Sequence, residues 1–222
     1  MSFTVYDYRT DIRNILVTPQ IRSRFLRMQP GQVAQSHSHD LGHEVFLVLE
    51  GRCEFEIDGE SRELGPGQMC VALANQIHSL RTMGYEPMTL YLSVTPHIQP
   101  THTGWTENKQ RIPPRFAPSS NYDAQSNPDI SVDQLIEQHI KEAEAIAQVA
   151  QKSADIQREM ADKLRKAIAE SDEHSAIEAR NVMWEAINKV FEQIIVLAKY
   201  GMNLRQGQQV LNGVIYENCI NE

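Results

Sequence analysis

A mainly β first half followed by a long α-helical hairpin is the fold class that this sequence predicts, and two contrasts in its text predict it. From Phe3 to about Thr95, short apolar or alternating runs give way to turn residues every few positions. From Ser131 to about Glu170 there is no Gly or Pro, and Ala, Glu, Gln and Lys dominate.

The β half is read from five runs: Ser23 to Met28, Val45 to Leu49, Cys53 to Ile57, Met69 to Leu73 and Thr89 to Val94. Pro30-Gly31, Gly51, Asp58-Gly59 and Gly65-Pro66-Gly67 separate them. In Cys53, Glu54, Phe55, Glu56, Ile57 the apolar and acidic residues take opposite faces, and the following Asp58-Gly59 suits the positive φ angles of a type I′ hairpin turn. Many short strands argue for a closed barrel or a sandwich, either of which buries one face and limits exposed edges; spacing alone does not separate the two.

Pro96 to Asp129 mixes Pro96, Pro100, Pro113, Pro114, Pro118 and Pro128 with Ser, Asn and Thr, and reads as an extended segment. Trp105, Ile112 and Phe116 predict that its first half wraps the β domain. The expected boundaries are 1–118 for the β domain with its tail, 119–130 for a linker, 131–200 for the hairpin and 201–222 for a C-terminal tail.

In the first helix a stripe of Ile136, Ile140, Ala143, Ala147, Ala150, Ala154, Gln157, Ala161, Leu164 and Ile168 follows heptad spacing, with an Ala-rich middle that a second helix can approach closely. Ser171-Asp172 offers an N-cap for a second helix from about Glu173 to Tyr200, carrying Ile177, Trp184, Ile187, Phe191, Ile194 and Leu197, with Gly201 expected to stop it. A lone hairpin leaves much apolar surface in water that a second copy or the barrel must cover, and a homodimer, most simply through a four-helix bundle, is expected.

Composition excludes several function classes. The 222 residues carry a formal charge of -8, with 41% hydrophobic and 23% charged residues, as in soluble globular proteins. An acidic balance without a dense Lys/Arg block works against nucleic acid and anionic lipid as partners. The opening MSFTVYDYRTDIRN lacks a basic stretch followed by an apolar run, and no segment is long and apolar enough to span a membrane, which places the expectation in the cytoplasm. Cys53, Cys70 and Cys219 stand singly, so neither a zinc ribbon nor a disulfide scaffold is indicated, and Cys53 reads as a small buried hydrophobe.

The chemistry concentrates in four residues. His37-Ser38-His39 on a strand points two imidazoles to one face, able to converge on one ion. Simple alternation sends Glu44 to the opposite face, but Asp40-Leu41-Gly42 is a turn-prone break that can reset the parity and align Glu44 with Phe46 and Val48. His43 competes for the role, yet as the immediate neighbour it takes the other face. His78, after the turn-like Ala74-Asn75-Gln76, can be brought opposite the first three by a rolled sheet. His97 and His102 read as solvated loop residues, and His139 and His174 as surface or capping residues.

Gly31, five residues, His37-x-His39, four residues, Glu44, six residues and Gly51 together resemble the first motif of the cupin family at every fixed position. The second motif is matched at Gly67 and His78, with Leu73, Asn75 and Thr82 where Pro, Gly and Asn are usual. The resemblance covers roughly Ile21 to Thr95. It implies a cupin-type antiparallel β-barrel, or double-stranded β-helix, with a metal ion inside one end held by His37, His39, Glu44 and His78. The segment Pro96 to Phe116 also resembles the tail of some bacterial cupins.

Three neutral imidazoles and a carboxylate suit one divalent ion among Fe, Mn, Ni, Co, Cu or Zn. Six-coordination leaves two positions open for Lewis-acid or templating chemistry. The sequence therefore supports a metal-dependent enzyme of the dioxygenase, isomerase or decarboxylase type acting on a small oxygen-rich molecule, with Glu44 doubling as proton acceptor. The alternative is a non-catalytic small-molecule binder or sensor that dimerises through its helices.

Overall fold

The structure, a computed structural model, describes residues 3–98, 102–112 and 129–219, with side chains in the last segment described through 199. Phe116 and most of the expected linker lie outside these residues. The chain divides into two compact units, Met1–Ser126 and Asn127–Glu222.

The first unit contains β1 (Asn14–Val17), β2 (Arg22–Met28), β3 (Val33–His39), β4 (His43–Glu50), β5 (Arg52–Ile57), β6 (Glu60–Leu64), β7 (Met69–Ala72), β8 (His78–Met83), β9 (Met88–Thr95) and β10 (His102–Gly104). They form two five-stranded antiparallel sheets, ordered β1-β2-β9-β4-β7 and β10-β3-β8-β5-β6. This is a double-stranded β-helix, which resolves the choice between barrel and sandwich.

Alternation decides which side chains enter the space between the sheets. Along β4, Glu44, Phe46 and Val48 are buried while their neighbours face outward. Phe46 and Val48 join Met28, Cys53, Phe55, Leu64, Leu80, Leu90 and Leu92 in one continuous core. Asp58 (φ 51) and Gly59 (φ 88) connect β5 to β6 in the left-handed geometry expected of an Asp-Gly hairpin. Cys53 is buried as a small hydrophobe, and burial pushes its thiol up to about 11.

Where it is described, the tail after β9 adds a strand to the sheet. β10 adds to the edge of β3, Trp105 Nε1 donates to Ser38 Oγ at 2.9 Å, and the Ile112 N–H donates to the Gly104 carbonyl at 2.9 Å. Thr103 Oγ1 donates to Asp40 Oδ1 at 2.7 Å, and Arg111 pairs with the other oxygen of Asp40. These bonds pin the strand that carries His102.

The second unit is an antiparallel helical hairpin of α1 (Val132–Ala169) and α2 (Glu173–Cys219). Ser131 caps α1 through a reciprocal box with Gln134, and Asp172 accepts from the Ser175 N–H at the start of α2. Two expectations are corrected. Gly201 does not stop α2, which runs on to Cys219; one Gly costs a helix only about 1 kcal/mol, and the residues around it are mostly good helix formers.

The packed seam also lies one residue before the expected stripe on α1, and on α2 it falls on alanines outside the expected stripe. It contains Leu135, Ser153, Met160 and Ala167 on α1 and Ala179, Ala186 and Ala198 on α2. Ile136, Ile140 and Ile168, and on the second helix Ile177, Trp184 and Phe191, are exposed instead. α1 carries two apolar stripes about 100° apart, and periodicity alone cannot rank them. Small residues at the seam let the helices approach, as Gln157 Nε2 donating to the Met183 carbonyl at 2.7 Å illustrates.

Candidate metal centre

The site is assembled by strand register. His37 and His78 are direct cross-strand partners in β3 and β8, while Glu44 lies across from Ala72 and Val94 in the other sheet. The register of β3 against β8 shifts between Ala34 and His37. That irregularity turns His37, like Ala34 three positions earlier, into the barrel, and His39 follows two residues on.

One donor atom from each of His37, His39, Glu44 and His78 lies within 4.8 Å of all the others. Glu44 Oε2 is the hub: it is 2.8 Å from His39 Nε2, 3.0 Å from His78 Nε2 and 3.8 Å from His37 Nε2. His39, Glu44 and His78 are fully enclosed, and His37 is half-buried at the edge. His43 is exposed, and its Nδ1 accepts from the Ala74 N–H at 2.9 Å, so it takes the outer face as expected.

The donor chemistry fits a cation. His37 Nδ1 donates to the Gln35 carbonyl and His78 Nδ1 donates to the Gln76 carbonyl, both at 2.9 Å. A carbonyl can only accept, so each Nδ1 carries a hydrogen, and the neutral form of such a ring turns an Nε2 lone pair inward. Lone pairs meeting beside a buried carboxylate repel one another until a proton or a metal ion sits among them.

The titration of the groups carries the same tension. Burial opposes ionisation of Glu44, but hydrogen bonds from the three imidazoles outweigh it and hold the carboxyl well below its usual range. For His39 burial wins over Glu44 and favours the neutral ring, whereas for His37 the hydrogen bond and charge of Glu44 overcome burial and favour the protonated one.

Two histidines are corrected from solvated loop to interior. His97 is completely buried, and its N–H donates to the Pro19 carbonyl at 2.9 Å. His102 pairs with His39 in the β10–β3 register, and its ring centroid lies 4.6 Å from that of His39 and 5.1 Å from that of His37. Burial, then the neighbouring imidazoles, push His102 down to about 2. A three-residue strand after a proline-rich stretch has too little alternation to announce itself in sequence, so nothing there pointed to these positions. In the second unit His139 is half-buried rather than on the surface, and His174 is exposed as expected.

Sequence reading also missed Arg22. It is 6% exposed and shares Val94 of β9 as register partner with Glu44, so both side chains enter the barrel from the same sheet face. The available signal was an Arg22-x-Arg24-x-Leu26-x-Met28 alternation, with basic residues in inward positions.

Residues 24–95 match the family model of the cupin domain. The first unit contains a cupin domain. Over 91 residues the chain is 31% identical to the polyketide synthase CurC of Streptomyces cyaneus, covering 39% of this chain and 59% of that relative's length. Among solved structures it is similar to a conserved protein with a double-stranded β-helix domain from Klebsiella pneumoniae, at 24% identity and a TM-score of 0.40 over 41% of this chain and 84% of that one. It is also similar to salicylate 1,2-dioxygenase from Pseudoaminobacter salicylatoxidans, at 26% identity and a TM-score of 0.32 over 35% of this chain and 20% of that one. Among the described residues no helix is long and apolar enough to cross a membrane.

Proposed function

We propose that this cupin is a metal-dependent, dioxygenase-like enzyme of the cytoplasm acting on a small oxygen-rich molecule, with one divalent ion held by His37, His39, Glu44 and His78. The observation that carries this reading is the convergence of these four donor atoms, with the Nδ1 hydrogens of His37 and His78 turned away onto backbone carbonyls. When bound, the ion supplies Lewis acidity and orientation for substrate oxygens. The protein's share is to fix two ring tautomers, to keep Glu44 ionised as ligand and proton acceptor, and to exclude water behind Phe46, whose ring packs 5.8 Å from that of His78.

The test is elemental analysis of untagged protein, followed by oxygen uptake of the iron-loaded protein against a panel of diols, diketones and hydroxy acids. One equivalent of metal that disappears in His78→Ala, with uptake on at least one compound, supports the reading. Metal-free protein that cannot be loaded, or silence across the panel, counts against it.

A second reading, a non-catalytic small-molecule binder or sensor, is favoured by a cavity of about 380 Å³. Phe55, Ile57, Leu64, Cys70 and Val71 line it, with Asp58, Glu60, Arg62 and Gln76, and none of the four donor residues takes part. A ligand that binds there without displacement by metal removal distinguishes this reading from the enzyme.

The hairpin supports the homodimer proposal. Ile136 and Ile168 follow the α1 seam by one residue, about 100° round. Ile177 and Trp184 precede Ala179 and Ala186 by two, about 160° round in the same sense, so in an antiparallel pair both open on one side. Gln157–Met183 and Gln193–Glu142 set the register, which brings Trp184 level with Ala154, Phe191 with Ala147 and Ile177 with Ala161. That side is a ridge of large residues on α2 beside a groove of alanines on α1. A two-fold axis parallel to the helices lays each ridge in the partner's groove as a four-helix bundle. No charged nucleic-acid surface enters this reading.

A further inference from the structure

The cavity bounded by β5, β6 and β7 shares no residue with the four donors, yet its wall touches the surroundings of one of them, His78. We infer that this cavity is a second ligand site, for a small neutral apolar molecule, and that its occupation tightens metal binding through His78. The inference goes beyond the metal-centre reading and rests on it only for the ion on which the coupling acts.

Three wall residues connect the cavity to His78. Ile57 is its register partner between β5 and β8, so the two side chains are neighbours on the inner face. Gln76 offers the backbone carbonyl that accepts from His78 Nδ1 at 2.9 Å, which sets the direction of the ring. Phe55 has its ring centroid 4.7 Å from that of Phe46, which in turn lies 5.8 Å from that of His78. The residue before His78 is held from the same wall. Asp58 Oδ1 accepts from the Ile77 N–H at 3.0 Å, and the Asp58 N–H donates to the Ile77 carbonyl at 2.8 Å.

The lining sets the ligand class. About 380 Å³ suits a small molecule. The polar wall groups bond within the protein: Asp58 to Ile77, Gln76 Oε1 to the Leu73 N–H at 2.8 Å, and Arg62 to Glu60. Phe55, Ile57, Leu64 and Val71 supply apolar contact. A neutral apolar molecule gains by leaving water for such walls, whereas an ion would give up its hydration without a counter-charge. With Ile57 and Phe55 packed against a ligand, His78 has less freedom to leave its inward orientation, so cavity ligand and metal strengthen each other.

The test uses full-length protein, metal-free and zinc-loaded, titrated by calorimetry with indole, phenol and cyclohexanol, and with benzoate as the charged control. Zinc affinity is measured by competition with a chromophoric chelator, with and without the probe. The expected result is that at least one neutral probe saturates a single site and benzoate does not. Zinc should bind about fivefold or more tightly with that probe present, and the probe should favour zinc-loaded protein by the same factor, because coupling is reciprocal.

Val71→Arg, at a wall residue that is 41% exposed, should abolish probe binding and leave zinc affinity without probe unchanged. Ile57→Ala should lower the coupling factor. If Val71→Arg does not fold, protection of the Cys70 thiol in the same wall from methyl methanethiosulfonate, read by mass spectrometry, locates the probe. No neutral probe bound by wild type, benzoate bound as well as the neutral probes, Cys70 unprotected, or zinc affinity unchanged by the probe overturns the inference. Failure to take up zinc sinks the metal reading instead. The cavity is then tested in metal-free protein by the imidazole nitrogen resonances of His78, which the probe should shift; resonances that stay in place overturn the inference there too.

Discussion

His39 Nε2 and Glu44 Oε2 are 2.8 Å apart although the chain reverses between them, and Gly42 is the residue that permits it. A Cβ at Gly42 would meet the Pro96 carbonyl oxygen at 2.7 Å and Val94 Cγ1 at 2.8 Å. The β3–β4 turn therefore lies flat against the end of β9, and that is how Glu44 comes to face inward.

Gly42→Ala should accordingly destabilise the fold by about 1–3 kcal/mol, since backbone rather than a flexible side chain must move. It should also reduce metal uptake. Leu41→Ala, at a neighbouring residue that is 61% exposed, should stay within about 0.5 kcal/mol of wild type. Urea unfolding with metal analysis on the same samples checks both, and an unaffected Gly42→Ala protein would remove the argument from close packing.

Glu44→Gln keeps the shape and removes the charge at the hub of the site. Divalent metal affinity, read by competition with a chromophoric chelator, should fall by more than about 100-fold, beyond the loss typical of an outer-shell change. His43→Ala, on the outer face, should leave it nearly unchanged. Equal losses in the two variants would mean that the cluster is not the binding site.

For His102 the sign of the pH dependence follows from its folded-state value of about 2 against an ordinary 6.5. Between these values the unfolded chain holds a proton that the folded chain refuses. The neutral ring thus contributes stability above the unfolded value, and this is lost as pH falls toward the folded one. In metal-free protein, the stability of wild type relative to His102→Gln should decline from about pH 7 to about pH 4. Parallel stability curves would mean that His102 titrates normally.

The hairpin makes a size-matched prediction. Ala154→Trp should fill the groove and dissociate the dimer, and Trp184→Ala combined with it should restore association by exchanging ridge and groove. Sedimentation at micromolar concentration reads both. A wild-type monomer, or a double variant no better than Ala154→Trp alone, excludes this packing.

Much of the site was legible because its residues lie where strand alternation and turn chemistry are strong. His37-x-His39, the reset at Asp40-Leu41-Gly42 and the outward turn of His43 all follow from a period of two and a break in it. The cap of the second helix at Asp172 was equally local. Which of two adjacent stripes forms the seam was not, because Ile136 and Leu135 are equally apolar and only the facing helix chooses between them.

By itself the sequence determined the antiparallel β half, the two helices, the inward faces of the strands and the four donor types, all of which depend on neighbours a few residues away. The tertiary structure alone decided that β10 folds back beside β3 and brings His102 onto His39, and that Arg22 stands level with Glu44 across β9. Those relationships are matters of register between strands far apart in the chain. Register is set by the packing of whole sheets, and no local pattern encodes it.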